Sequence, residues 1–208
     1  MATLISKIAP RIIIPGFFVA RTATKTKNTA DLLQNTAFSF FFASAVITAF
    51  QNKTPWLALI PGIACIAYYK MMSDKANIER YRYSDWVLTT PLMLAAIFTA
   101  GKLPLLTILL LVGLDIEMIA AGYLGIQEKK RQFPFFFLGM IAFLPIVYFL
   151  LSQNRNGYVI AMTVLVWSAY PLVYYLNETR TIVQDTAISA YAIMDMIAKI
   201  GLVSYLKF

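Results

Sequence analysis

Arg82-Tyr83-Ser84-Asp85-Trp86-Val87-Leu88-Thr89-Thr90-Pro91 leads into the apolar run Leu92-Met93-Leu94-Ala95-Ala96-Ile97-Phe98. Arg82 and Asp85 stand three apart, which puts them on one helical face, and Thr89 and Met93 continue that face deeper into the run. Charged side chains inside a bilayer are costly and turn toward a bundle interior. The stretch therefore predicts a membrane-crossing helix with an inward stripe of cation, anion, hydroxyl and soft apolar residue, covered by other helices.

The rest of the chain supplies those helices. Of 208 residues, 60% are apolar and 13% charged, too few charges to clothe a water-soluble globule. A crossing takes roughly 20 mainly apolar residues, and seven runs qualify: Leu32 to Phe50, Pro55 to Met72, Tyr83 to Thr99, Leu103 to Leu124, Pro134 to Leu151, Tyr158 to Leu176 and Thr181 to Phe208. Short polar links join them, so consecutive helices are antiparallel neighbours. The expected fold is an all-α membrane protein, a seven-helix bundle over residues 32–208 preceded by a basic segment over residues 1–31. It is integral and multi-pass, in a plasma or an internal membrane.

Several function classes drop out on composition. One cysteine, Cys65, allows no intrachain disulfide, and the absence of histidine removes the commonest metal ligand. No metal site and no enzyme activity are expected. The net charge of +8 sits in loops and near the amino terminus, where anionic lipid headgroups are the natural partners and nucleic acid is not. Lys7, Arg11, Arg21, Lys25 and Lys27 surround the apolar patch Ile12 to Val19 with no acid before Asp31. That pattern reads as a segment lying in the membrane interface, with an organelle-targeting presequence as the alternative.

Five charged residues inside the spans stand out: Asp85, Asp115, Glu117, Asp195 and Lys199. Asp195 and Lys199 are spaced i,i+4 and share a face. They read either as a buried structural ion pair or as a reactive amine with its counter-charge, since a buried lysine readily forms an imine with a carbonyl compound. Trp167, Tyr170 and Tyr174 form an aromatic stripe, interrupted by Pro171, which frees a backbone carbonyl.

Four motifs taken together, Arg82 to Trp86 with Thr89 to Leu92, Leu111 to Asp115, Trp167 to Pro171 and Asp195 to Gly201, resemble the microbial (type 1) rhodopsins. The small size and trimmed loops are similar to those of the compact viral members. The resemblance implies all-trans-retinal held covalently as a protonated Schiff base on Lys199. Asp85 would be primary counterion and proton acceptor and Asp195 the second counterion, with Arg82 below them and Tyr68, Tyr170 and Thr89 completing the network. The retinal pocket would comprise Trp86, Thr90, Met93, Met118, Gly122, Phe136, Gly139, Met140, Trp167, Pro171, Tyr174 and Ala198. Asp115 would be a neutral acid near the ring. Glu117, two positions on and off that face, would be a subunit contact or part of a polar path, and a homo-oligomer is expected.

The resemblance also exposes a departure. Efficient proton pumps of the family carry an acid eleven positions beyond the acceptor, where this chain has Ala96. All ten carboxylates lie mid-membrane or on the side of the amino terminus, while the opposite side has Lys53, Lys102, Arg155 and Lys207 and no acid. A slow light-driven proton pump is the leading expectation, with a light-gated cation channel and a photosensor as alternatives. Thirteen basic residues on the amino-terminal side against four opposite predict that side to be cytoplasmic, the reverse of the orientation the resemblance implies.

Overall fold

The computed structural model describes residues 28–51, 54–153 and 157–206. The amino-terminal segment lies outside them apart from its last few residues, so the interfacial and presequence readings are not addressed. The helices are α1 (Thr29–Gln51), α2 (Leu59–Ser73, entered through a 3-10 turn at Pro55–Ala58), α3 (Ile78–Ala100), α4 (Leu105–Gln127), α5 (Gln132–Leu151), α6 (Gly157–Glu178) and α7 (Gln184–Asp195). A π-helical turn, Met196–Ile200, joins α7 to a short α8 (Gly201–Tyr205), completing a seventh rod.

Each rod packs against its neighbours in sequence, and α1 packs back on α7, so the seven rods close into a ring. Six of them are long and apolar enough to cross a membrane; α3 is the exception. The helix that hydropathy marks least clearly is the one whose polar residues are most needed inside: Arg82, Asp85 and Thr89 are all buried. It also begins five residues before the apolar run, at Ile78, because Glu79 and Arg82 pair with each other and need no solvent there.

The surface is apolar as well as the interior. Leu105, Leu106, Leu109 and Leu110 on α4, Ile141 and Leu144 on α5 and Leu165 and Leu172 on α6 are exposed, an apolar belt suited only to lipid. The seventh rod is well enclosed, with 56% of its most apolar window buried against 22% for α6. That enclosure makes it the place where a buried charge can be held away from lipid.

The ends of the rods are tied on the amino-terminal side. Lys75 pairs with Asp31 at 2.6 Å, Lys129 with Glu178 at 2.5 Å, and Asn28 donates to Asp185 at 3.1 Å. Helices α3 and α6 each stop in a left-handed residue, Lys102 (φ 63°) and Arg180 (φ 58°). In both, the next N–H reaches back five residues, Leu103 to Phe98 and Thr181 to Leu176, the closing bond of a Schellman cap.

Candidate functional site

The site sits halfway along the seventh rod, where the π-helical turn begins. Widening the helix by one residue per turn at Met196–Ile200 displaces Ala198 and Lys199 from the regular ladder, a local irregularity that recurs at functional positions. Lys199 is 1% exposed. Its Nζ donates to Asp85 Oδ2 and lies 3.6 Å from Asp195 Oδ1, so one ammonium faces two carboxylates from different helices.

The two carboxylates are held differently. Asp195 Oδ1 accepts from Tyr170 Oη at 2.6 Å and Trp86 Nε1 at 3.1 Å, and Oδ2 accepts from Tyr68 Oη at 2.8 Å. Donors from three helices fix it in place. Asp85 takes a side-chain donor only from Lys199, and its buried Oδ1 has no hydrogen-bond partner. Thr89, expected beside the carboxylates, instead donates to the backbone carbonyl of Asp85 at 2.9 Å. An incoming proton therefore finds an unengaged oxygen on Asp85 and none on Asp195.

Arg82 lies one turn below Asp85 and is held there by groups other than the two carboxylates. It shares the buried face of Asp85, but its guanidinium ion-pairs with Glu79 at 2.6 Å and lies 4.4 Å over the Tyr191 ring. Among the described ion pairs it has none with Asp85 or Asp195. A carboxylate one turn nearer the surface competes for it, and the stacking of a guanidinium on an aromatic face favours that rotamer.

Beside Lys199 opens an apolar cavity. All twelve residues expected at a retinal pocket line it, together with Tyr170, Asp195 and Lys199. Tyr83, Ile119, Phe135, Phe143 and Tyr191 also line it and were not anticipated. Tyr191 was within reach of sequence reasoning, since it lies one turn before Asp195 on the same face. Two glycines make the room: a Cβ on Gly122 would come within 3.0 Å of the Tyr83 ring, and one on Gly139 within 3.4 Å of the Met118 carbonyl. Thr90 Oγ1 shares its proton between Asp115 Oδ2 (2.6 Å) and the Trp86 carbonyl (2.8 Å), which ties the buried Asp115 to the wall. Glu117 is exposed on the outer face of α4, so the alternative of a polar path inside the bundle does not apply to it.

A buried amine at the end of a narrow apolar slot, with two carboxylates at its mouth, suits a long apolar carbonyl compound joined to that amine. Residues 23–205 match the family model of bacteriorhodopsin-like proteins. The chain is 28% identical to archaerhodopsin-2 of Halobacterium sp. (strain aus-2) over 172 residues, 69% of this chain and 66% of that one. It is 28% identical to sensory rhodopsin-2 of Natronomonas pharaonis over 169 residues, 68% of this chain and 69% of that one. Among solved structures, the light-driven proton pump Coccomyxa subellipsoidea rhodopsin superposes with a TM-score of 0.78 at 22% identity, covering 88% of this chain and 99% of that one. The chain belongs to the microbial rhodopsin family. It spans just under two thirds of the length of archaerhodopsin-2. It is an integral, multi-pass membrane protein with retinal as its cofactor, and the residues fit that group: the cavity is apolar, ends at Lys199 and leaves Asp85 Oδ1 unpaired.

Proposed function

We propose that this protein moves protons across its membrane in response to light, with a slow return to the dark state. The observation that carries this is the asymmetry of the two acids around Lys199: Asp195 has three donors and Asp85 has a free oxygen. Retinal, when bound, supplies light absorption and a change of shape.

Lys199 is the attachment residue, and Trp86, Trp167, Met93, Met118 and Pro171 clamp the slot around it. Lys199 Nζ carries the proton in the dark and lies beside both carboxylates. Once Nζ turns from its place between them, the proton passes to Asp85, and Asp195 remains as the fixed counter-charge. Arg82 with Glu79 stands between the site and the amino-terminal surface, so the proton leaves on that side. The return proton comes from the other side, where Ala96 is buried and no described residue is acidic.

A passive channel is less well supported. Between α1, α2 and α7 on the amino-terminal side of the site, Ala37, Phe41, Ala64, Ala67 and Met71 form a buried apolar cluster where a cation path would want polar lining. Residues 1–31 we read as an interfacial segment attached to the bundle of residues 32–208. The test is flash spectroscopy of purified protein with all-trans-retinal and a pH-indicating dye. Light should release a proton, and recovery should slow as pH rises, because the returning proton comes from water. Recovery independent of pH, or no proton release, would count against this function.

A further inference from the structure

The half of the bundle beyond Lys199 has no described acid, yet it is not uniformly apolar. Two buried hydroxyls there, Ser44 Oγ on α1 and Ser204 Oγ on α8, have no hydrogen-bond partner in the protein. Ser44 is 0% exposed and Ser204 5%. A helical serine ordinarily returns its hydroxyl to the carbonyl one turn back, as Ser39 does to Asn35 and Ser84 to Arg80. These two do not, and an unmade hydrogen bond on a buried group costs about 1–3 kcal/mol.

Their heights in the bundle agree. Helices α1 and α7 run parallel from a shared end, where Asn28 bonds Asp185. They meet again at the site, where Lys199 Nζ lies 5.6 Å from the centre of the Phe41 ring. Ser44 is three residues past Phe41 and Ser204 five past Lys199. At 1.5 Å per residue Ser44 stands about 5 Å past Phe41 and Ser204 about 8 Å past the Lys199 backbone, within about one turn of each other counted from the shared end, on the side away from Arg82 and toward Ala96. Thr48, one turn beyond Ser44, is also fully buried.

We infer that Ser204 and Ser44 form the relay by which Lys199 recovers its proton, organising water along the seam between α1 and the seventh rod in place of the missing acid at position 96. The inference rests on the proton-transport function proposed above. A hydroxyl donates one hydrogen bond and accepts two, so it takes a proton from a water on its far side while passing its own inward and bears no lasting charge. One proton enters from bulk water and one arrives at Lys199 Nζ; only O–H and N–H bonds exchange. A purely structural role, a polar clasp between two helices, would affect stability and leave the return of the proton untouched.

The experiment compares Ser44→Ala, Ser204→Ala and the double variant, all loaded with all-trans-retinal. Each substitution removes an unpaired group, so folding and the position of the visible band should hold. Recovery should slow at least about fivefold in Ser204→Ala and further in the double variant, less than the ~10²–10⁴-fold of a positioned acid or base because water can still pass a proton. Recovery at the parent rate in both single variants and the double one, with or without a change in thermal stability, overturns the relay. A second measurement needs no retinal: in a Cys65→Ala background, Ser204→Cys places one S–H stretch at the seam. Exchange to S–D within minutes of transfer to D2O is expected, and an S–H band persisting for hours overturns water access. If the parent releases no proton on illumination, the proposed function itself fails; if it does and the serine variants recover normally, only the relay fails.

Discussion

The two halves of this bundle, divided at Lys199, are built to different rules. The amino-terminal half holds Glu79, Arg82, Tyr83, Tyr191, Tyr68 and Tyr170, a chain of ionisable and hydroxyl groups that reaches the carboxylates. The opposite half is filled by Leu57, Ile60, Leu94, Ala96, Ile97, Phe98, Ile146 and Leu202, relieved by Ser44, Thr48 and Ser204. Under the proposed function, the groups that would accept and release a proton are ionisable and connected, while those that would return one are at most neutral hydroxyls. The light-driven cycle we propose would be slow for that reason.

The comparison can be broken at its boundary first. Lys199→Ala should abolish the visible band altogether, since no other described lysine lines the cavity; a surviving band in a purified sample would overturn the assignment of the site. Next in size, Ala96→Asp should give the poor half an internal donor. Recovery measured by flash spectroscopy should accelerate about tenfold or more and lose much of its pH dependence. Unchanged recovery would mean that the return of the proton is not what limits the cycle.

A smaller effect is expected on the rich half. Tyr170→Phe removes the shortest of the three bonds to Asp195 and should lower the thermal stability of the retinal-loaded protein by about 1–3 kcal/mol, the cost of leaving a buried charged acceptor short of a donor. Tyr68 and Trp86 remain to hold the carboxylate, so the band should shift and not vanish. The smallest effect belongs to the surface. Asn77 and Tyr81 donate to Asp74, and these bonds hold its carboxyl below the ordinary value. Its folded value being lowered, the stabilisation is present above the ordinary carboxylate value and is lost as pH falls through the lowered one. Asp74→Asn should therefore lower the melting temperature slightly at neutral pH and leave it unchanged in strong acid.

The fold was legible because lipid imposes a simple pattern. Seven apolar runs with short polar links leave little freedom in connectivity, and the Pro145 and Pro171 positions sit inside helices without breaking the bundle. The pocket was legible through the resemblance, since Trp86, Met93, Trp167 and Lys199 stand in local motifs on separate helices. Rotamers and orphaned atoms were not legible. Nothing in the spacing of Arg82 and Asp85 says that Glu79, one turn away in the other direction, takes the guanidinium. Nothing in a lone Ser44 or Ser204 says that its hydroxyl is left without a hydrogen-bond partner. Trp86 was expected among the pocket residues, and its indole N–H also bonds Asp195. Each of these depends on packing between helices, which periodicity along one helix does not encode.

Direction across the cell follows from orientation, where the basic residues and the family resemblance point opposite ways. Transport itself is tested more directly by electricity. In a voltage-clamped membrane containing the retinal-loaded protein, light should drive a current of one sign at every potential, carried by protons from the acid-free side to the amino-terminal side. A photocurrent that reverses with membrane potential and follows the ion gradients would show passive conduction and contradict active proton translocation.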